Sequence, residues 1–596
     1  MPPETRREAR ERAREDDDSA SLLPDPSDRR SRRRLPIIRI ILLVIVLVIL
    51  AAAAWLVVRV LGVKADLESA QAQLSAIEKG HDMTTAIEKM GDDAGRAVNV
   101  AGDPLWRVAE TIPVAGDNLR ATRLAAETLD TFANDIALPV LDMQADGKGK
   151  LLQRALPVIE AQSGVVSTLQ TQLTELSDSG HLIGAVDDGV TQVVDVLDVA
   201  APAFSLLPDM LGAHTPQSYL LVFQNNAESL PLGGSSASET LITADNGALK
   251  IVDQASSADF DIHTKLTTVD IPKSATALYG ATYGVRTNMA VTRPDWPSAA
   301  EQLIAFWQRD INKNQKINGA LSVDPIAMAR MLKATGPIRI GGVELTSKNA
   351  VKVLLSDSYT WWDAYTKEGA VKSDAFFAAV ADAMFTKVAS ADFDLKEMVT
   401  ALKDSVDKGD IMAWSADPAA QKIIAAGRLS GELPTDNSTT TTIGVYYRDV
   451  SASKIDYYLH TAAKVSRTCT AHSETITATT KLHLDISQGK ADALPRYVQS
   501  HLHGAEFFSK QVYIYAPPGM KVKSVKVDGR DVKPFRQGNV DLGRVVAPFQ
   551  MTLRPGETAT VTATFTGANT GTPLEVWSTP MINKTKTVMD DGCALG

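Results

Sequence analysis

Cysteine is almost absent from this sequence: 596 residues contain two, Cys469 and Cys593. Two isolated thiols cannot make a four-ligand zinc site. Histidine is scarce as well, at nine. His501 and His503, read as sharing one face of a strand, form a pair without further ligands, so no metal site is assigned. The chain carries no P-loop, no Gly-x-Ser-x-Gly elbow and no His-Glu-x-x-His helix, which removes the usual marks of nucleotide, serine-hydrolase and zinc-protease chemistry. An excess of positive charge is also missing. The net charge is -10, and residues 62–596 set 49 Lys and Arg against 62 Asp and Glu, which argues against nucleic acid as a partner. Exact repeats and long low-complexity linkers are lacking too, while the length exceeds what one hydrophobic core supports, so two or three folded units are expected.

One long apolar run is present. Ile40 to Val58, "IILLVIVLVILAAAAWLVV", has no charge over nineteen residues, close to the ~20 a helix needs to cross a bilayer. Arg29, Arg30, Arg32, Arg33 and Arg34 crowd its amino-terminal side, against mainly Arg59 and Lys64 on the other. The positive-inside rule then keeps the N-terminus cytoplasmic and the main body outside a plasma membrane crossed once. A cleaved signal peptide is the competing reading, with Ala51 to Ala54 as its cleavage region; the long preceding tail and the continuation through Trp55 favour an uncleaved anchor. The arginines serve topology, and anionic headgroups are a further ligand for them.

The rest divides by pattern. Residues 1–34 lack apolar periodicity and are expected to be disordered, and 35–61 hold the span. Residues 62–205 place apolar side chains at three and four spacing in an Ala, Leu and Gln-rich background, a helical stalk or bundle broken at "AGDP", "IPVAGDN" and "ADGKGK". Residues 206–430 alternate strand-like and helix-like runs, an α/β domain, with an Asp-Asn-Gly turn predicting a hairpin from Leu241 and Ile242 to Leu249 and Ile251. Residues 431–596 read as Thr, Val and Tyr-rich strands, an antiparallel β-sandwich. Both cysteines fall there, on the oxidising side, so a disulfide tying "DDGCALG" back to its domain is expected.

Candidate site residues come from three places. In "YLLVFQNNAESLPLGG", Asn225, Asn226 and Glu228 supply amides and a carboxylate, and Gly233 and Gly234 let backbone N–H groups approach a ligand; the alternative is an ordinary turn. In "VTRPDWPSA", Asp295 or Ser298 caps a helix with Pro297 in its first turn, or Arg293 meets an anionic ligand beside Asp295. In "SVDP", Asp324 reads as a helix cap. Tyr359, Trp361 and Trp362 stack on sugars or simply pack.

The blocks "YLLVFQNNAE...GG", "TRPDWPSAAEQLIAFWQ...INGALSVDPIAMARMLKATGPIRI" and "GDIMAWSADPAAQKIIAAGRLSGELP" with "GVYYRDVSASKIDYYL" resemble a family of bacterial cell-surface proteins catalogued as domain of unknown function 4012, over roughly 215–460. A more distant likeness is to the LytR-CpsA-Psr cell-wall phosphotransferases, which move glycopolymer from a polyprenyl pyrophosphate using arginines, acidic residues and magnesium. That likeness implies Arg293 and Asp295 as catalytic residues and magnesium as cofactor. The loop "ESLPLGGSSASE", however, contains no arginine for a pyrophosphate. The leading expectation is therefore a membrane-anchored cell-envelope protein that binds or positions a polyprenyl-linked or wall glycopolymer. The alternatives are such a phosphotransferase, or a non-catalytic scaffold or adhesion protein whose partner the sequence does not name.

Overall fold

The computed structural model describes residues 55, 58–70, 72, 73, 82–260, 269–533 and 539–593. The arginine-rich tail lies outside them, as does the run read as a membrane span except for Trp55 and Val58. Helices α1 (Met83–Ala101), α2 (Ala115–Asp130), α3 (Leu151–Asp178) and α4 (Gly184–Met210) follow. Asp82 starts α1 by accepting from the Thr85 N–H at 2.8 Å, and Gly102 ends it. Val166, Leu169, Leu173 and Leu176 of α3, at three and four spacing, bury against Val190, Val194 and Leu197 of α4. Among the described residues, α4 is the one helix long and apolar enough to cross a membrane, and its buried positions line this bundle core.

The central sheet begins at β1 (Gln217–Leu230), β2 (Gly233–Asp245) and β3 (Ala248–Ser256). Asp245 pairs with Ala248 around Asn246 and Gly247, whose φ values of 47° and 74° are the left-handed pair that a two-residue hairpin turn requires. α5 (Trp296–Asp310), β4 (Gly319–Val323) and α6 (Pro325–Thr335) come next. The short hairpin β5 (Ile338–Ile340) and β6 (Val343–Leu345), then α7 (Ala350–Leu355), α8 (Lys367–Ser390), α9 (Leu395–Lys408) and β7 (Ile411–Ser415), complete the unit. The strand order is β3-β2-β1-β4-β7, with β1 and β4 parallel and the other pairs antiparallel.

Both faces of this sheet are covered, and β1 serves both by alternation. Leu220 and Val222 pack with Trp296, Leu303 and Trp307 of α5, while Leu221 and Phe223 pack with Met328 of α6, Leu354 of α7 and Val380 of α8. Anything facing α8 from β2 or β3 therefore sits at the same parity as Phe223.

The C-terminal region is β-rich. Its strands are β8 (Thr441–Asp449), β9 (Leu459–Cys469), β10 (Ser473–Leu484), β11 (Phe508–Tyr515), β12 (Lys521–Val527), β13 (Arg530–Asp531), β14 (Val540–Asp541), β15 (Arg544–Leu553), β16 (Thr558–Ala568), β17 (Leu574–Ser578) and β18 (Lys586–Asp591). They form a six-stranded sheet, β13-β12-β16-β10-β9-β18, and a five-stranded one, β14-β15-β11-β8-β17. Ile476, Val561 and Phe565 from the first share one core cluster with Val445, Val512 and Phe549 from the second. Two details correct the sequence reading. The sheets are mixed rather than purely antiparallel, because β17 runs parallel to β8 and β18 parallel to β9; the chain returns to these edges from far away, not through a hairpin. His501 and His503 lie in a turn closed by reciprocal 2.9 Å bonds between Ser500 and Gly504, not on a strand.

Candidate functional site

The polar stretch after "YLLVF" is strand, not loop. β1 pairs with β2 as far as Asn225 opposite Ser235, then resumes at Ser229 opposite Gly234, so Asn226, Ala227 and Glu228 bulge from the ladder. Gly233 and Gly234 are what let the strands come this close. A Cβ on Gly234 would lie 2.1 Å from the Asn225 carbonyl, and Gly233 has φ 129°. Their place is in the ladder, beneath the bulge.

The bulge is held by residues remote in the chain. Asn226 is fully buried and donates from Nδ2 to Asp324 Oδ2 at 2.8 Å and to the Pro580 carbonyl at 3.2 Å. Asp324 in turn caps α6, accepting from the N–H groups of Ile326 and Ala327 at 3.0 and 2.8 Å. Burial, reinforced by nearby Asp410, pushes its carboxyl well above the usual range. Ser229 donates from its backbone N–H to Asp456 Oδ2 at 3.2 Å, and Lys510 bridges Asp456 to Asp449. Glu228 forms an ion pair with Lys454, whose ammonium sits 4.4 Å from the Tyr497 ring centre and 5.4 Å from that of Tyr359. Burial pushes the Lys454 ammonium down to about 7, and the Glu228 carboxylate and the two ring faces act against that. Asn225 accepts from the Tyr359 hydroxyl at 3.1 Å.

Above this bulge, between the sheet and α8, lies a cavity of about 650 Å³. Its sheet wall is polar where a doubly covered sheet is ordinarily apolar. Ser238 pairs with Phe223 and Thr240 with Leu221, and Gln254 and Ser256 pair with Thr240 and Ser238 in turn, so four hydroxyl and amide side chains form one patch facing α8. On the opposite wall, Val371, Ala378 and Ala381 share one face of α8 with Asp374, and Phe377 lies beside them. Asn225, Glu228, Lys454 and Tyr497 close one end, and Asp259 and Asp374 lie along the rest of the rim. Glu239 pairs with Val222, which turns its side chain to the α5 face; Thr287 Oγ1 donates to it at 2.8 Å, and burial raises its carboxyl to about 8.

Arg293 and Asp295 lie elsewhere. The Arg293 guanidinium, 7% exposed, grips Asp541 of β14 through Nε at 3.0 Å and Nη2 at 2.8 Å, and Asp295 through Nη1 at 2.7 Å. Burial works against its charge and the Asp541 bonds outweigh it, holding the group above its ordinary value. Asp295 also caps α5 through the Ser298 N–H. Asp541 further accepts from Ser274 at 2.8 Å and Tyr515 at 2.9 Å. The anion that Arg293 meets is thus the protein's own carboxylate. Trp361 and Trp362 pack on Phe376, with ring centres 5.3 and 5.8 Å away. Cys469 and Cys593 form a disulfide, with Cα atoms 5.3 Å apart. Among the described residues, no group of three or more His, Cys, Asp or Glu is arranged to hold a metal ion.

Of the residues singled out in the sequence, the cavity brings together Asn225, Glu228 and Tyr359 and leaves Asn226, the two glycines and Arg293 in supporting positions. Lys454, Tyr497 and the Ser238, Thr240, Gln254 and Ser256 patch were not singled out. The period-two polar positions on strands covered from both sides are the signal that marks the patch.

The strand, bulge and helix cap just described fall in one stretch with relatives. Residues 214–359 match the family of proteins of unknown function DUF4012. Two of the three blocks read from the sequence, those at 219–234 and 292–340, lie inside the DUF4012 segment, and the third lies beyond it. No curated protein matches the chain. A crystal structure described as a candidate nutrient-binding protein from Legionella pneumophila aligns at 9% identity with a TM-score of 0.14, covering 22% of this chain and 45% of that one. A likeness that slight carries no argument about fold or ligand. No comparison carries the LytR-CpsA-Psr likeness.

Proposed function

We propose that this chain is a single-pass cell-envelope protein whose external body binds a lipid-linked or wall glycopolymer and positions it, without catalysing its transfer. The uncharged run Ile40–Val58 and the arginines before it support the anchor and its orientation. In this reading the two C-terminal sheets pack as a sandwich over the core cluster they share.

The observation that carries the binding reading is the two-sided cavity, with hydroxyl and amide groups on its strand wall and, on α8, the apolar Val371, Phe377, Ala378 and Ala381 beside Asp374. A sugar ring matches both walls, since its hydroxyls lie at its edge and its C–H groups on its faces. Transfer from a pyrophosphate needs uncommitted cations, and here Arg293 is held by Asp541 and Lys454 by Glu228. That weighs against the phosphotransferase alternative and its magnesium. A pure scaffold would leave the cavity without a use.

Native mass spectrometry of the detergent-extracted full-length protein tests this, with Ala378→Phe alongside to fill the cavity from α8. Copurified or added envelope glycolipid that binds the natural chain and not the variant is the expected result. Equal behaviour of the two proteins would overturn it.

A further inference from the structure

The charges around the cavity say more about the ligand than its volume does. The basic side chain among the described residues lining it is Lys454, which is 5% exposed and already faces Glu228 and the rings of Tyr359 and Tyr497. The remaining charged side chains at its rim are carboxylates. Asp374 and Asp259 lie by Ser256, whose backbone N–H bonds the Asp259 carboxylate at 2.7 Å. The strand wall between them is uncharged: Ser238, Thr240, Gln254 and Ser256 carry hydroxyl and amide groups, with Gln254 Nε2 donating to Thr240 Oγ1 at 3.4 Å and Ser256 bonded to the Asp374 carboxylate. Among the described residues, an anion entering here would meet carboxylates on the rim and no cation beyond the Lys454 already paired with Glu228, and like charges at short range disfavour it. A neutral polyol meets neither obstacle.

Resting on the glycopolymer reading above, we propose that the cavity is selective for an electrically neutral stretch of glycan, held with its hydroxyls on the Ser238, Thr240, Gln254 and Ser256 patch and a C–H face against α8. Phosphate- or carboxylate-bearing units of the same polymer lie outside it. Tyr497, its ring against the Lys454 ammonium and the Tyr359 ring, bounds the glycan at the closed end. Selectivity comes from the rim carboxylates as much as from the patch, because discrimination between ligands is a difference that repulsion can supply.

Isothermal titration of the full-length protein in detergent, with maltotetraose, cellotetraose, tetragalacturonate and geranyl pyrophosphate as probes, tests this. The expected result is binding of at least one neutral tetrasaccharide and of neither anion, weakened about five- to tenfold by Ser238→Ala and by Gln254→Ala, the loss typical of one hydrogen bond. Ala378→Phe abolishes the same binding. Tighter binding of tetragalacturonate or geranyl pyrophosphate, blocked by Ala378→Phe, overturns the neutrality while leaving a ligand-binding cavity. Neutral binding unaffected by all three substitutions overturns the assignment to this patch. Failure of every probe overturns the neutral selectivity; if envelope glycolipid still copurifies with the natural chain and not with Ala378→Phe, the glycopolymer reading stands without it.

Discussion

Lys454 and Glu228 stand 226 residues apart in the chain and form an ion pair at the closed end of the cavity, joining the C-terminal β region to the bulge of β1. The lysine side chain is 5% exposed and the glutamate 29%. Removing either leaves the other partly desolvated and unpaired. Lys454→Met and Glu228→Gln should each lower the unfolding free energy by about 1–3 kcal/mol, and the double variant by less than their sum. Urea unfolding of the four proteins gives that coupling directly; strict additivity would mean the pair contributes nothing.

Glu239 predicts a pH dependence. Its folded value, about 8, lies above the 4.5 of an ordinary glutamate, so the folded protein holds a proton that the unfolded chain has lost. Its contribution is complete below pH 4.5 and declines as pH rises to about 8. Within that window the slope approaches ~1.4 kcal/mol per pH unit for this one group. Glu239→Gln keeps the bond from Thr287 and removes the titration, so its stability should fall less steeply between pH 5 and 8 than that of the natural protein. Parallel profiles would show that Glu239 titrates as it does in the unfolded chain.

Arg293→Met should destabilise by about 3–5 kcal/mol, because it strands the buried Asp541 carboxylate. Arg293→Lys should recover little, since one ammonium cannot make the two-atom grip on Asp541 and reach Asp295 as well. Denaturant midpoints compare the three. Ligand affinity of the folded variants should be unchanged; a selective loss of affinity at normal stability would return Arg293 to the binding site.

Cys593→Ser opens a closure spanning 124 residues and should cost about 2–4 kcal/mol. Every residue of β18 is exposed, so once the disulfide is open that strand depends on its parallel pairing with β9 and the bonds between Asp591 and Arg467. Hydrogen exchange should show faster exchange at 586–591 and little change in β10. Uniform protection would mean the ladder alone suffices.

Local pattern carried much of this fold. Asn246 and Gly247 announced their hairpin because turn chemistry is written in adjacent residues, and Asp295 and Asp324 announced helix caps for the same reason. The helical breaks near Gly102 and Asp146 were legible in Gly, Pro and Asp. The stretch 224–230 was not, since its polar residues resemble a loop until Lys454, Asp456 and Pro580 arrive from the far half of the chain. Arg293 illustrates the same limit: its partner Asp541 is 248 residues downstream, and no periodicity points to it. Parallel edges escaped for a related reason, because strand order across a sheet is set by long connections and not by composition.

The positions of β17 and β18 bear on how the protein is made. Each finishes one edge of a sheet whose neighbouring strand, β8 or β9, was synthesised more than a hundred residues earlier, and Pro580 between them accepts the Asn226 bond beneath the bulge. While the ribosome is still working through the preceding segments, β8 and β9 wait with open edges, and the bulge of β1 lacks one of its ties. A premature stop codon shortly before Leu574 would therefore leave its mark some 350 residues upstream, at the bulge beneath the cavity, as well as at the truncated end.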